Sequence, residues 1–215
     1  MDSEDTIIGD FAEALLAEVP TVDEQIGENR DYGEGIGPHD EDDQVNSLVR
    51  QAKESGQFDY DVYTVKSDPE KVQYPSGREA DIVIQADDET VYFEAKLFRF
   101  QKANSNPSKN GFAKVFSPYQ DSAGQSFIHD VKKIAESDIR ATRALIGIYY
   151  RPVEGAGTEI SSEQMAEKFA SDVDLWTDHS LTVDTVATFS DLQHPVHSRG
   201  GILAWRLEDQ PEAFF

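Results

Sequence analysis

Three charged residues sit where an apolar sequence should exclude them. Asp81 lies inside "READIVIQ", and Glu94 and Lys96 lie inside "TVYFEAKLF", with twelve residues between the two acids. Charge buried among apolar side chains is costly unless it is paired or used. Two neighbouring carboxylates suit a hard divalent cation, Mg²⁺ or Mn²⁺, which takes one or two carboxylates and retains several waters. The backbone carbonyl of Ala95, between the two charged residues of the second segment, is a further oxygen donor. Such an ion stabilises charge on a phosphate and lowers the pKa of a bound water. A lysine beside that water can orient it or stabilise the developing negative charge. This is the equipment for phosphodiester hydrolysis.

Two adjacent β-strands must position these groups. Side chains alternate faces along a strand. Ala80, Ile82 and Ile84 share one face of the first segment, and Asp81, Val83 and Gln85 the other. In the second, Val91, Phe93, Ala95 and Leu97 form the apolar face, and Tyr92, Glu94, Lys96 and Phe98 its opposite. An even connecting loop, such as Asp87 to Thr90, pairs residue 81 with residue 96 and aligns the apolar faces. An odd loop mixes the faces, so burial selects the register that gathers Asp81, Glu94 and Lys96. The other acid-x-lysine match, "DVK" at 130–132, falls on an expected helix, where acid and lysine point different ways.

An acid, twelve residues, then Glu-x-Lys on neighbouring strands, followed by a helix and an apolar strand, resembles the PD-(D/E)XK nuclease superfamily. Here the motif reads Glu-Ala-Asp81 … Glu94-Ala-Lys96, with alanine at 80 where the family name has proline. The resemblance spans roughly residues 40–151 by element order. It implies a restriction-endonuclease-like fold and a Mg²⁺-dependent DNA endonuclease. It also implies that Asp81 and Glu94 bind metal and that Lys96 acts in catalysis. Members often add a glutamate from the preceding helix. Glu41 fits best, since 41, 45, 48 and 52 form one helical stripe, with Asp42 and Asp43 close behind. Tyr119, Gln120 and Gln125 are available as accessory residues, though no Gln-x-x-x-Tyr pattern follows the lysine. Double-strand cutting by one such site usually requires a dimer, so a homodimer stays open.

The charge balance is extreme. The 215 residues carry 42 acids and 19 bases, a formal net charge of -23. Periodic apolar segments and 10% aromatics argue against a disordered chain. An acidic partner for a basic protein is a second reading. The favoured one is salt adaptation, because the acids are spread over most of the chain, as in proteins of halophilic archaea. At 1 M salt the screening length is about 3 Å, so repulsion from DNA nearly vanishes. The 26 residues between Glu94 and Asp121 contain no acid but five bases, Lys96, Arg99, Lys102, Lys109 and Lys114. Within them "QKANSNPSKNGFAK" is too polar for core. Arg99, Lys102, Lys109 and Lys114 are therefore candidate phosphate contacts.

The rest of the chain reads as a single mixed α/β domain with a central sheet. Segment 1–39 is an acidic helix (6–19) and a glycine-rich loop. Segment 40–151 is the nuclease-like core, with a helix at 40–56, strands at 58–65 and 143–151, a polar loop at 101–118 and a helix at 121–137. Segment 152–215 adds a helix (161–173) and two strands (180–189, 201–208). There is no cysteine, and hence no disulfide framework or thiolate site. No apolar run approaches membrane-spanning length, so the expectation is a soluble, cytoplasmic protein with no membrane partner. "HPVH" (194–197) and "GEGIG" (33–37) read as loops. Two alternatives to a nuclease remain: a regulatory DNA-binding module retaining the fold, and an acidic interaction domain in which the motif is fortuitous.

Overall fold

The computed structural model describes residues 6–29, 32–74, 77–87, 89–119, 126–137, 139, 141–155 and 157–208. The apolar segments form one six-stranded sheet. Its strands are β1 (Asp61–Thr64), β2 (Ile82–Gln85), β3 (Thr90–Arg99), β4 (Thr142–Tyr150), β5 (Leu181–Phe189) and β6 (Gly200–Leu207), in the order β1-β2-β3-β4-β6-β5. Only β3 and β4 pair in parallel; the other neighbours are antiparallel. A parallel pair needs a long crossover. Among the described residues it carries two helices, α3 (Lys109–Phe116) and α4 (Phe127–Ala135). The continuous apolar run of β4 is buried from Ala144 to Tyr150, as a central strand requires.

Helices cover both faces. On one, α1 (Ile7–Gln25) and α2 (Glu41–Glu54) pack against Ile82, Ile84, Val91, Phe93, Ala95 and Leu97. On the other, α3, α4 and α5 (Ser162–Trp176) pack against Val83, Phe98, Tyr149, Leu203 and Trp205. Each helix starts at a side-chain cap that satisfies a free N–H of the first turn. Thr6, Asp40, Ser108, Ser126 and Ser161 serve α1 to α5 in turn. Among the described residues no helix is long and apolar enough to cross a membrane.

Three details depart from expectation. First, α1 does not stop at residue 19. It runs through Pro20 to Gln25, held by buried Val22 and by Asp23, whose carboxylate accepts the Ile36 and Gln193 N–H groups. Second, the polar loop expected at 101–118 contains α3. Ser108 caps it, Val115 and Phe116 are buried, and Gly111 lets it sit against β3. A Cβ at Gly111 would lie 2.1 Å from the Arg99 carbonyl oxygen. Third, the hairpin register is shifted. Gln85 pairs with Thr90 and Ile82 with Phe93, so Asp81 falls opposite Glu94 and not Lys96. The shift is two residues, so the parity holds and the three charged side chains keep a common face.

Candidate active site

The site begins where strand pairing ends. The last ladder bond between β2 and β3 runs from the Asp81 N–H to the Phe93 carbonyl, at 3.1 Å. Beyond it β3 continues to Arg99 with no strand on that side among the described residues. Two carboxylates take the strand's place. Asp81 Oδ2 accepts the Ala95 N–H at 2.7 Å, and Glu41 Oε2 accepts the Leu97 N–H at 2.8 Å. The N–H and C=O of one strand residue face the same edge, so the Ala95 carbonyl opens to the same space.

The other charged groups close around this edge. Glu94 is buried, with its side chain only 1% exposed. Its Oε1 accepts from the Tyr74 hydroxyl, and Lys133 Nζ lies 2.5 Å from its Oε2. Lys96 Nζ sits 3.2 Å from Glu41 Oε1 and 3.1 Å from Asp130 Oδ2. A cavity of about 710 Å³ opens here. Six acids line it (Asp40, Glu41, Asp42, Asp81, Glu94, Asp130), against four bases (Lys96, Arg99, Lys114, Lys133). Ser108, Asn110 and Gly111, at the start of α3, complete the wall.

The acids are crowded for their cations. Burial, and then the charge of Asp81, push Glu94 up to about 8; Lys133 and Tyr74 pull back only part of that. Burial also raises Asp81, against the pull of the Ala95 N–H, Lys133 and Lys96. Glu41 is raised by burial in the same way, with Lys96 opposing. Burial works against the charge on Lys96, but Glu41 and Asp130 more than offset it, and its pKa rises. Lys96 is therefore protonated at any physiological pH.

A divalent cation would relieve this crowding. Asp81, Glu94, Glu41 and the Ala95 carbonyl are hard oxygen donors of the kind Mg²⁺ and Mn²⁺ accept. In the present conformation the carboxylates are aimed at backbone N–H groups and lysines. Among the described residues no three acids or histidines are already gathered for an ion. Loading the site would require the Asp81–Ala95 N–H and Glu94–Lys133 contacts to break.

No family model, no curated protein and no solved structure matches the chain.

The sequence-derived residues divide by position. Asp81, Glu94, Lys96 and Glu41 meet in the cavity. Of the other upstream acids, Asp42 reaches the rim, while Asp43 pairs with Lys66 at 2.6 Å. Arg99 lines the cavity, but its guanidinium donates to the Gly37 and His39 carbonyls at 2.6 and 2.9 Å. It fastens the glycine-rich loop, and its N–H groups are partly used. Lys114 lines the cavity, whereas Lys102 and Lys109 are exposed beyond its wall. Tyr119 is exposed outside the cavity, and Gln120 and Gln125 lie outside the described residues. His194 and His197 are buried, stack at 4.6 Å between ring centroids, and bond to the Tyr32 and Gln101 carbonyls.

Three site residues escaped the sequence reading: Tyr74, Asp130 and Lys133. Asp130 belongs to the "DVK" match set aside as accidental. Its lysine, Lys132, does point away, lining a separate pocket beside Trp176. The acid nevertheless faces the site, with Lys133 one helical step on. The available signal was the i, i+3 spacing of Asp130 and Lys133, flanking the inward stripe Phe127, Val131 and Ile134.

Proposed function

We propose that this protein is a Mg²⁺-dependent deoxyribonuclease of restriction-endonuclease-like architecture. The observation that carries the reading is the convergence of Asp81, Glu94 and Lys96, with Glu41 from α2, on one cavity at the open edge of β3. The mixed sheet, with an antiparallel β2–β3 pair leading through helices to parallel β4, supports the same resemblance. Asp81, Glu94 and the Ala95 carbonyl would hold Mg²⁺ or Mn²⁺, with Glu41 as a further donor. The bound ion would lower the pKa of a water and stabilise charge on the scissile phosphate.

The chain's own groups supply the rest. Lys96 is fixed between Glu41 and Asp130 and stays protonated, which makes it a hydrogen-bond donor to the attacking water or a phosphate oxygen and not a general base. The opposite wall offers Lys114 and the start of α3, whose first turn has no acid. That wall would face the phosphate backbone, with Lys102 and Lys109 beyond it.

The test is cleavage of supercoiled plasmid and branched DNA in concentrated KCl with Mg²⁺. Wild type should cut and be stopped by EDTA, and Asp81→Ala should not cut. Equal activity in the two proteins would overturn the assignment. One observation favours a second reading, a regulatory DNA-binding module without turnover: the site's ion pairs are already closed. DNA binding indifferent to Mg²⁺ and EDTA, without cleavage, would select it.

A further inference from the structure

The two lysines of the site are held differently. Lys96 has two carboxylate partners and a side chain 11% exposed. Lys133 has one, Glu94, at 2.5 Å, and its side chain is 27% exposed. Lys133 Nζ also lies 3.3 Å from the Glu79 carbonyl, at the exposed rim of the site. In this one position its ammonium bridges a buried carboxylate and a rim carbonyl, at the end of a long flexible stem. The carboxylate contact is on the Glu94 oxygen that a divalent ion would need.

We propose that Lys133 is a built-in counter-ion, which neutralises Glu94 while the site lacks metal and is displaced towards Glu79 when a divalent cation enters. This rests on the metal-site reading above. The physics is competition. Without Lys133, buried Glu94 would face Asp81 with only the Tyr74 hydroxyl to support its charge. With Lys133, the metal-free site is stabilised, and an incoming ion must displace a unit positive charge. Lys133 therefore holds the folded site together and sets a threshold for metal loading. Lys96, pinned from both sides, stays in place through the exchange.

The test is a Mg²⁺ titration at pH 8.5, read by thermal unfolding in a fixed KCl background, on wild type, Lys133→Gln, Lys133→Met and Lys168→Met. The glutamine variant keeps a donor for Glu94 without the charge, which guards against misfolding of the methionine one. Lys168 pairs with Asp172 on the outer side of α5 and controls for net charge. Removing a unit charge at contact range from a divalent ion should tighten half-saturation about tenfold or more in the Lys133 variants. The Lys168 variant should match wild type. Separately, the Lys133 Nζ resonance in a lysine-labelled sample should shift on Mg²⁺ addition while that of Lys96 stays protected. Unchanged or weaker Mg²⁺ binding in both Lys133 variants would overturn the counter-ion role and leave the metal site standing. No Mg²⁺ response in wild type would overturn both.

Discussion

Glu94→Gln should make the metal-free protein more stable at pH 9 and leave it nearly unchanged at pH 5. Glu94 is buried in the folded state, and its pKa is pushed from 4.5 up to about 8. Between those values the unfolded chain has lost the proton that the folded chain still holds. The folded state binds more protons, so stability falls as pH rises through this window. Each pKa unit corresponds to about 1.36 kcal/mol, which sets a ceiling of ~5 kcal/mol on the cost of ionising Glu94 in place. Glutamine avoids that cost and can still accept from Tyr74. Its amide group offers one acceptor side and one donor side, as the protonated carboxyl of wild type does, so the two proteins match at pH 5. The gain at pH 9 is then at most ~5 kcal/mol.

The assay is urea unfolding of wild type and variant in EDTA and constant KCl, from pH 5 to pH 9. For a chain of this length, each kcal/mol also moves Tm by about 2–4 °C. The acidic surface adds its own pH dependence to both proteins, so the difference between the curves isolates Glu94. That difference should open from near zero as pH rises. Parallel curves would show that Glu94 ionises without penalty, and the crowded-carboxylate argument would fail. With Glu94 a metal ligand as proposed, saturating Mg²⁺ should reverse the order.

His197 is held neutral by burial, with its pKa lowered to about 4; stability should therefore fall as pH drops from about 6.5 to 4, and His197→Gln should flatten that limb in urea unfolding. Gly111→Ala should cost about 1–3 kcal/mol in the same measurement, since its Cβ would meet the Arg99 carbonyl at 2.1 Å. Lys114→Glu should weaken DNA binding and lower the salt slope of log affinity, by about 1 to 2, with folding stability unchanged. Phe98→Ala should cost about 3–5 kcal/mol, because Phe98 is fully buried against Phe127, Phe169 and Trp205.

The sheet and the main site residues were legible because they rest on periodicity. Alternation in two segments put Asp81, Glu94 and Lys96 on one face, and the helical stripe through Val45, Leu48 and Ala52 put Glu41 beside the core. The register was not legible. Strand ends depend on where pairing stops, and the sequence does not mark Ile82 as the first paired residue. Lys133 and Asp130 were hidden because their partners lie on other elements, so only the docking of α4 reveals them. The acid-free run suggested anion contact at Arg99. Tertiary structure instead gave its guanidinium two carbonyls of the preceding loop. In α3, a glycine in the first turn and polar neighbours read as loop; the reason for the glycine is a close approach to β3, which is also a tertiary fact.

The open edge of β3 follows from where β2 ends. Had β2 extended further, its backbone would have satisfied Ala95 and Leu97, and the edge would be an inert ladder. Because pairing stops at Asp81, two carboxylates are drawn in as substitute acceptors, one from the end of the shortened strand and one from the first turn of α2. An acceptor supplied by a side chain can rotate away; one supplied by a strand cannot. The arrangement that completes the backbone hydrogen bonding thus also places two rotatable side-chain oxygen donors next to a carbonyl facing the same opening. The chemistry proposed for this protein follows from where a strand ends as much as from which residues it carries.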